Sequence, residues 1–138
     1  MATDMIPLPE WLELAIAEPI GVPETMCARF AAAWWGNVTG RDPRPTFPAL
    51  YSPDALALMA AAGGLIGIID RHAAAGGLVR TPDPAGGDIG VIAVPDITGV
   101  GQPTCAVRTA SGRWMVRTDH GLAALRRPVL AAWRIEEA

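Results

Sequence analysis

Two cysteines and two histidines are the first residues to consider, since thiols and imidazoles often serve as nucleophiles and bases. They are Cys27, Cys105, His72 and His120. Cys27 lies near the predicted start of a helix, where the helix dipole stabilises a thiolate. It also stands among apolar residues, and free cysteines are commonly buried. The sequence therefore leaves two interpretations of Cys27 open, a catalytic nucleophile and a core residue.

A nucleophilic thiol needs a base, usually a histidine held by a third group. His72 is predicted to lie on a helix and to face solvent. His120 follows Asp119 in a predicted turn. Neighbouring residues of a strand point to opposite faces, so Asp119 and His120 form a poor dyad. Either histidine can approach Cys27 in space, and we keep His120 as a possible displaced base.

Other chemistries lack their usual signatures. The cysteines and histidines have no C-x-x-C or H-x-x-x-H spacing, so we expect no metal site. Neither serine lies in a G-x-S-x-G motif. Gly99 and Gly101 form a lone G-x-G without the third glycine of a dinucleotide site. We therefore expect no cofactor.

The charge balance bears on possible partners. The chain has 11 basic and 14 acidic residues, a net charge of -3, and every basic residue is an arginine. This balance argues against a nucleic-acid-binding face. The absence of lysine excludes a Walker-type phosphate site and a Schiff base. The first ten residues lack the basic region of a signal peptide, and no apolar run approaches the length of a membrane span. Without a secretion signal, we expect free thiols rather than a disulfide.

The patterning predicts helices first and strands second, as in an α+β protein with its elements segregated along the chain. Helices are expected at about 9–17, 23–37, 52–62 and 65–75, with a proline-rich loop at 40–45. Strands are expected at 88–94, 104–109, 113–117, 122–125 and 131–135, with a hairpin turn at 110–112. We expect one domain over residues 1–138.

The adjacent residues Trp34 and Trp35 point in different directions around their helix. One is expected to enter the core. The other is expected to cover the sheet or to lie in an interface, where tryptophan is enriched. Core packing is the default for both.

Seven short segments, in this order and spacing, resemble the NlpC-like papain-fold family encoded beside tail genes of phages and gene transfer agents. They are 26–34 (MCARFAAAW), 39–43 (TGRDP), 51–52 (YS), 62–65 (AGGL), 87–89 (GDI), 120–122 (HGL) and 132–135 (AWRI). The resemblance implies a papain-like fold with N-terminal helices packed on a small antiparallel sheet. It also implies that Cys27 corresponds to the nucleophile.

The same resemblance locates the missing base. In the family, the catalytic histidine opens the strand that follows the Gly-Asp strand. The corresponding stretch here is Pro103-Thr104-Cys105, which has no histidine. The family's aspartate before the cysteine is replaced by Met26. The resemblance therefore implies a chain that has kept the fold and lost the peptidase chemistry.

The expected function is that of a structural or interaction component of a phage-type tail tip or hub. Its partners would be other tail proteins (hub, distal tail or fibre proteins), with a homo-oligomeric ring as a possible arrangement. Exposed aromatic and apolar residues would be the anchors. The chain would be made in the host bacterial cytoplasm and reside in the virion tail. Two alternatives stay open: an active cell-wall cysteine peptidase or amidase using Cys27, and a tail assembly factor.

Overall fold

Six helices precede a six-stranded sheet in the computed structural model, which describes residues 5–17, 26–95, 98–118 and 121–136. The helices are α1 (Leu8–Ala17), α2 (Met26–Thr39), α3 (Pro43–Thr46), α4 (Pro48–Tyr51), α5 (Ala55–Ala61) and α6 (Leu65–Gly76). The strands are β1 (Leu78–Arg80), β2 (Ile89–Pro95), β3 (Gly101–Arg108), β4 (Trp114–Thr118), β5 (Gly121–Leu125) and β6 (Val129–Ile135). The predicted α+β class and the helices-first order are confirmed.

All neighbouring strands of the sheet are antiparallel, in the order β1-β6-β2-β3-β4-β5. Strands β2 and β3 form the long central pair, in which Val91 lies opposite Cys105. Successive residues of a strand point to opposite faces. Cys105 and Val107 therefore lie on the face covered by helices, and Ala106 lies on the other face.

The two faces carry two apolar clusters. The helix-facing core joins α1, α2, α4, α5 and α6 to residues of β1, β2, β3 and β6. The outer-face cluster consists of strand residues alone: Ile92, Ala106, Trp114, Val116 and Ala132. Since both faces of the central strands are buried, the sheet provides a rigid support for whatever α2 places against it.

Helix α2 is buried on a broad face, because two adjacent rows of apolar residues recur at a spacing of four: Phe30 with Trp34, and Ala31 with Trp35. Core packing, the default expected for both Trp34 and Trp35, is confirmed, because both side chains are buried. Each ring also finds an acceptor for its N–H: Trp34 Nε1 donates to the Gly87 carbonyl at 2.8 Å, and Trp35 Nε1 donates to the Gly76 carbonyl at 2.7 Å. These bonds allow indole rings to be buried without leaving a polar group unsatisfied.

Burial extends to all five tryptophans of the chain. Both phenylalanines are buried as well, and Tyr51 is half-buried. No aromatic ring is thus fully exposed, so of the expected aromatic and apolar anchors only the apolar ones lie at the surface. The large exposed apolar side chains are aliphatic residues and one methionine, among them Leu14, Ile16 and Leu56.

The segment before α5 differs from the predicted loop. Residues 43–46 form α3, because prolines fit the first turn of a helix and the Asp42 side chain accepts the Arg44 backbone N–H at 3.0 Å. Helix α4 was not predicted at all. The helix expected from residue 52 starts later, since α5 begins at Ala55 and Asp54 holds the N-cap position. Ser52 instead accepts the Asp54 backbone N–H at 3.1 Å.

Glycines separate α5 from α6 and mark the end of α6. Gly64, with φ +95°, precedes α6, and Gly77, with φ +62°, caps it. Helix α6 is then tied to the sheet through Asp70, whose Oδ1 accepts from Trp133 Nε1 at 2.9 Å and from Arg80 Nε at 3.1 Å. Arg80 first, and then the indole N–H, hold the pKa of Asp70 below its ordinary value despite partial burial.

Within the described ranges, no single helix has the length and apolarity of a membrane span. The bent pair of α5 and α6, with 90° between its helices, meets both criteria only when the two are counted together.

Candidate functional site

The Cys27 thiol lies where the first turn of α2 meets β3. Cys27 is the second residue of that helix and is half-buried against the helix-facing core. The first N–H groups of a helix have no intrahelical acceptor. The backbone N–H groups of Cys27 and Ala28 are of this kind, and both donate hydrogen bonds to the Cys27 sulfur.

Strand β3 supplies two further donors from the opposite side. The Cys105 thiol donates a hydrogen bond to the Cys27 sulfur, and so does the Cys105 backbone N–H. The Cys105 thiol is the largest influence, and together these donors outweigh the effect of burial. They lower the pKa of Cys27 from 9.0 to about 7. The Cys27 thiolate is therefore formed more readily near neutral pH than that of an ordinary cysteine.

Cys105 has the opposite character. It is fully buried, and the pKa of its thiol is raised well above 9.0, first because it donates to Cys27 and then because it is buried. The negative charge of Cys27 raises it further. The two side chains, here called the thiol pair, thus consist of an accessible thiolate and a buried thiol that stabilises it. A thiol that holds its proton so firmly does not act as a general base.

The histidines do not complete the site in the part of the chain that the structure describes. His72 lies on α6, half-buried rather than solvent-facing as predicted, with its ring 6.2 Å from the Phe47 ring, centroid to centroid. Its Nε2 atom is buried and has no hydrogen-bond partner among the described residues. Burial, and then the charge of Arg71, lower the pKa of His72. The groups that act on the Cys27 thiol do not include His72.

The second proposed site histidine, His120, lies outside the described residues together with Asp119. The strand β5 begins directly after it at Gly121, where an added Cβ would lie 3.3 Å from Ile16 Cδ1. Among the described residues, no group of three or more histidine, cysteine, aspartate or glutamate side chains is close enough to hold a metal ion. Among the described residues, the candidate reactive groups are therefore the two cysteines of the thiol pair.

A pocket of about 460 Å³ lies beside α2, the helix that also carries Cys27. Its wall is formed by Arg29 of α2 and by residues 51–57. Arg29 is fixed there by two contacts: its Nε donates to the Leu50 carbonyl at 2.9 Å, and its guanidinium lies 5.1 Å from the centre of the Tyr51 ring. Burial raises the pKa of Tyr51. The pocket thus offers one fixed cation, one phenol and the exposed aliphatic side chain of Leu56.

Sequence reasoning considered Cys105 but assigned it no role beside Cys27. The resemblance to the NlpC-like family marked its position as the place of the missing base, and the sequence offered just one other cysteine for Cys27 to meet. No local spacing connects the two, because the contact depends on how α2 lies across β3. Arg29 and Tyr51 were missed for the same reason.

A protein-family model described as "Domain of unknown function (DUF6950)" matches residues 6–135. The chain belongs to this family. The match spans the thiol pair, the pocket and the whole sheet. No curated protein and no solved structure matches the chain.

Proposed function

We propose that this DUF6950 chain is a structural or interaction component of a phage-type tail tip or hub, built on an NlpC-like papain fold that has lost its hydrolase chemistry. The tail setting comes from the resemblance of the seven segments. The papain-like fold is supported by the arrangement of the site: a cysteine in the first turn of a helix, packed on a small antiparallel sheet.

One observation carries the loss of chemistry. Cys105, in the stretch that corresponds to the family's histidine, adjoins the Cys27 thiol. A hydrolase needs a group at this point that takes a proton and later returns it to the leaving amine. Cys105 is fully buried and retains its proton, so it stabilises the thiolate without relaying a proton. The fold is thereby kept and the catalytic step is lost.

The partner-binding surface would then be aliphatic, since the aromatic rings other than the half-buried Tyr51 are buried. Leu56 is 54% exposed at the edge of the pocket beside Arg29. An apolar side chain next to a fixed cation suits a partner that presents an apolar residue close to a carboxylate.

The test is isolation of tail particles from cells that produce the tagged chain. We expect the chain to co-purify with complete tails at a constant ratio, and to do so less when Leu56→Asp places a charge at the pocket. Ala74→Asp is the matched control, because Ala74 is an exposed helical residue outside the pocket. A chain absent from complete tails but present in incomplete ones would establish the assembly-factor alternative instead.

A second candidate function, a cell-wall cysteine peptidase or amidase, is favoured by the half-buried Cys27 with its pKa of about 7. It requires a histidine base, for which His120 is the proposed residue. The test is digestion of purified peptidoglycan by the native chain, by Cys27→Ala and by His120→Ala. Our proposal expects no released peptides from any of the three. Release that depends on Cys27 would refute the loss of chemistry, and release that also depends on His120 would identify the base.

A further inference from the structure

We propose that Cys27 and Cys105 form a reversible disulfide, so that the junction of α2 with β3 is a thiol-disulfide site that small-molecule disulfides oxidise. This inference concerns the isolated chain and does not depend on the tail assignment. It rests on the packing of Cys27, in the first turn of α2, against the core cluster that contains Cys105 of β3. A hydrogen bond joins the two side chains, which are far apart in the sequence.

The two thiols differ in the way that such a site requires. Cys27 is partly accessible, and Cys105 is fully buried behind it. An external disulfide can therefore reach just one member of the pair. Thiol-disulfide exchange needs a thiolate as the attacking group, and an attacking thiol is most effective when its pKa is close to the ambient pH. The hydrogen bonds to Cys27 meet this condition near neutral pH.

The first step is attack by the Cys27 thiolate on a disulfide R–S–S–R, with glutathione disulfide as the example. A bond forms between the Cys27 sulfur and one glutathione sulfur, and the S–S bond of the oxidant breaks. One glutathione thiolate leaves and takes up a proton from solvent. Cys27 then carries a mixed disulfide and no longer carries a negative charge.

This loss of charge activates the second thiol. The hydrogen bond to the Cys27 thiolate and the charge of that thiolate both raise the pKa of Cys105, and both are removed in the mixed disulfide. Cys105 then gives up its proton to solvent and attacks the Cys27 sulfur. The bond to glutathione breaks, and the second glutathione leaves and is protonated. The two protein thiols have lost two electrons, which reduce one glutathione disulfide to two glutathione molecules.

The test uses the full chain, incubated without oxygen in mixtures of reduced and oxidised glutathione and then quenched with an alkylating agent. We expect mass spectrometry to show loss of two hydrogen atoms, a peptide pair joined through Cys27 and Cys105, and full reversal by dithiothreitol. In Cys105→Ala, a glutathione adduct on Cys27 should accumulate because no second thiol displaces it. In Cys27→Ala, Cys105 should stay reduced because the oxidant cannot reach it.

The native chain alone can overturn the proposal. A stable glutathione adduct on Cys27 with Cys105 still alkylatable after unfolding would show that the second step does not occur. A fully reduced chain in glutathione disulfide without reductant would show that the first does not. Cys105→Ser serves as a second variant where the alanine variant fails to fold, and melting curves of both variants check that the fold is kept.

Discussion

Replacing Cys105 with alanine is the sharpest perturbation of the thiol pair. The change removes the S–H group that most strongly lowers the pKa of Cys27 and leaves the three backbone N–H donors in position. Cys27 keeps its place in the first turn of α2, so the effect of the helix terminus is unchanged. We expect the pKa of Cys27 to rise from about 7 toward 9.0.

The magnitude follows from the strength of the bond removed. The difference between 9.0 and about 7 corresponds to about 3 kcal/mol. A hydrogen bond to a charged group contributes about 1.5–3 kcal/mol. The Cys105 thiol is therefore strong enough to account for half or more of the effect, and its removal should return the pKa of Cys27 most of the way toward 9.0.

The assay is the rate of iodoacetamide alkylation of Cys27, followed by mass spectrometry from about pH 5 to about pH 10. The midpoint of the profile is the quantity to compare, because a thiolate of higher pKa is also the stronger nucleophile and partly restores the rate at a single pH. Cys105→Ser is the matched control, since its hydroxyl can still donate to Cys27 and should displace the midpoint less.

Two results would refute this reasoning. One is a native midpoint close to 9.0, the ordinary value of a cysteine, which would mean that the donors do not stabilise the thiolate. The other is an unchanged midpoint in Cys105→Ala, which would assign the whole effect to the backbone of α2 and β3.

The thiol pair also makes the free energy of unfolding depend on pH. The pKa of Cys27 is lower in the folded state than its ordinary value, so its contribution is fully present above 9.0 and is lost as the pH falls toward about 7. The raised pKa of Cys105 acts in the opposite sense, with a contribution present below 9.0 that is lost as the pH rises further. Stability from the pair should therefore peak near pH 9.0. Urea unfolding of Cys27→Ala should lack the loss of stability between pH 9.0 and about 7, while the fall above 9.0 should persist because Cys105 is still buried.

Two further predictions concern the packing of the sheet and its contact with α6. Gly90→Ala should lower the free energy of unfolding by about 1–3 kcal/mol, because the added Cβ would lie 2.5 Å from Trp114 Cη2 and the Trp114 ring is buried. Asp70→Ala should cost about 1–3 kcal/mol, since it leaves the Trp133 N–H without its acceptor. Urea unfolding followed by tryptophan fluorescence measures both changes.

Each of these changes has a matched control in the chain. Gly101→Ala adds a Cβ to β3 with its nearest neighbour, Ala93 Cβ, at an ordinary 3.4 Å, and should change stability by less than Gly90→Ala. Asp70→Asn keeps an oxygen acceptor and loses the exposed ion pair, so it should cost less than about 1 kcal/mol. Equal costs for the two glycine variants, or for the two Asp70 variants, would contradict the packing and hydrogen-bond arguments.

Local patterns predicted the elements well where a residue's role depends on its immediate neighbours. Gly76-Gly77 ends α6, and Ala110-Ser111-Gly112 turns between β3 and β4, because glycine adopts conformations that other residues avoid. Where local rules conflict, the prediction failed. Prolines at 43 and 45 suggested a loop, yet a proline in the first turn is compatible with a helix once Asp42 caps it.

Burial was harder to predict, since it depends on what packs from outside the element. Trp34 and Trp35 point in different directions around α2. The sequence predicted that one enters the core, and it left an interface position open for the other. Both are buried in the helix-facing core, where the carbonyls of Gly87 and Gly76 accept their N–H groups. His72 is half-buried for a similar reason, since Phe47 packs against its ring.

The sequence by itself determined that Cys27 stands at a helix start and that the stretch ending in Cys105 holds no histidine. It left open whether Cys27 is a nucleophile or a core residue, because that depends on what faces its sulfur. The tertiary structure showed what faces that sulfur: the first turn of α2 packs against β3, where the Cys105 thiol and backbone N–H reach Cys27. Hydrogen bonds act over about 3–4 Å, so no pattern along the chain could reveal a contact between residues so far apart in it.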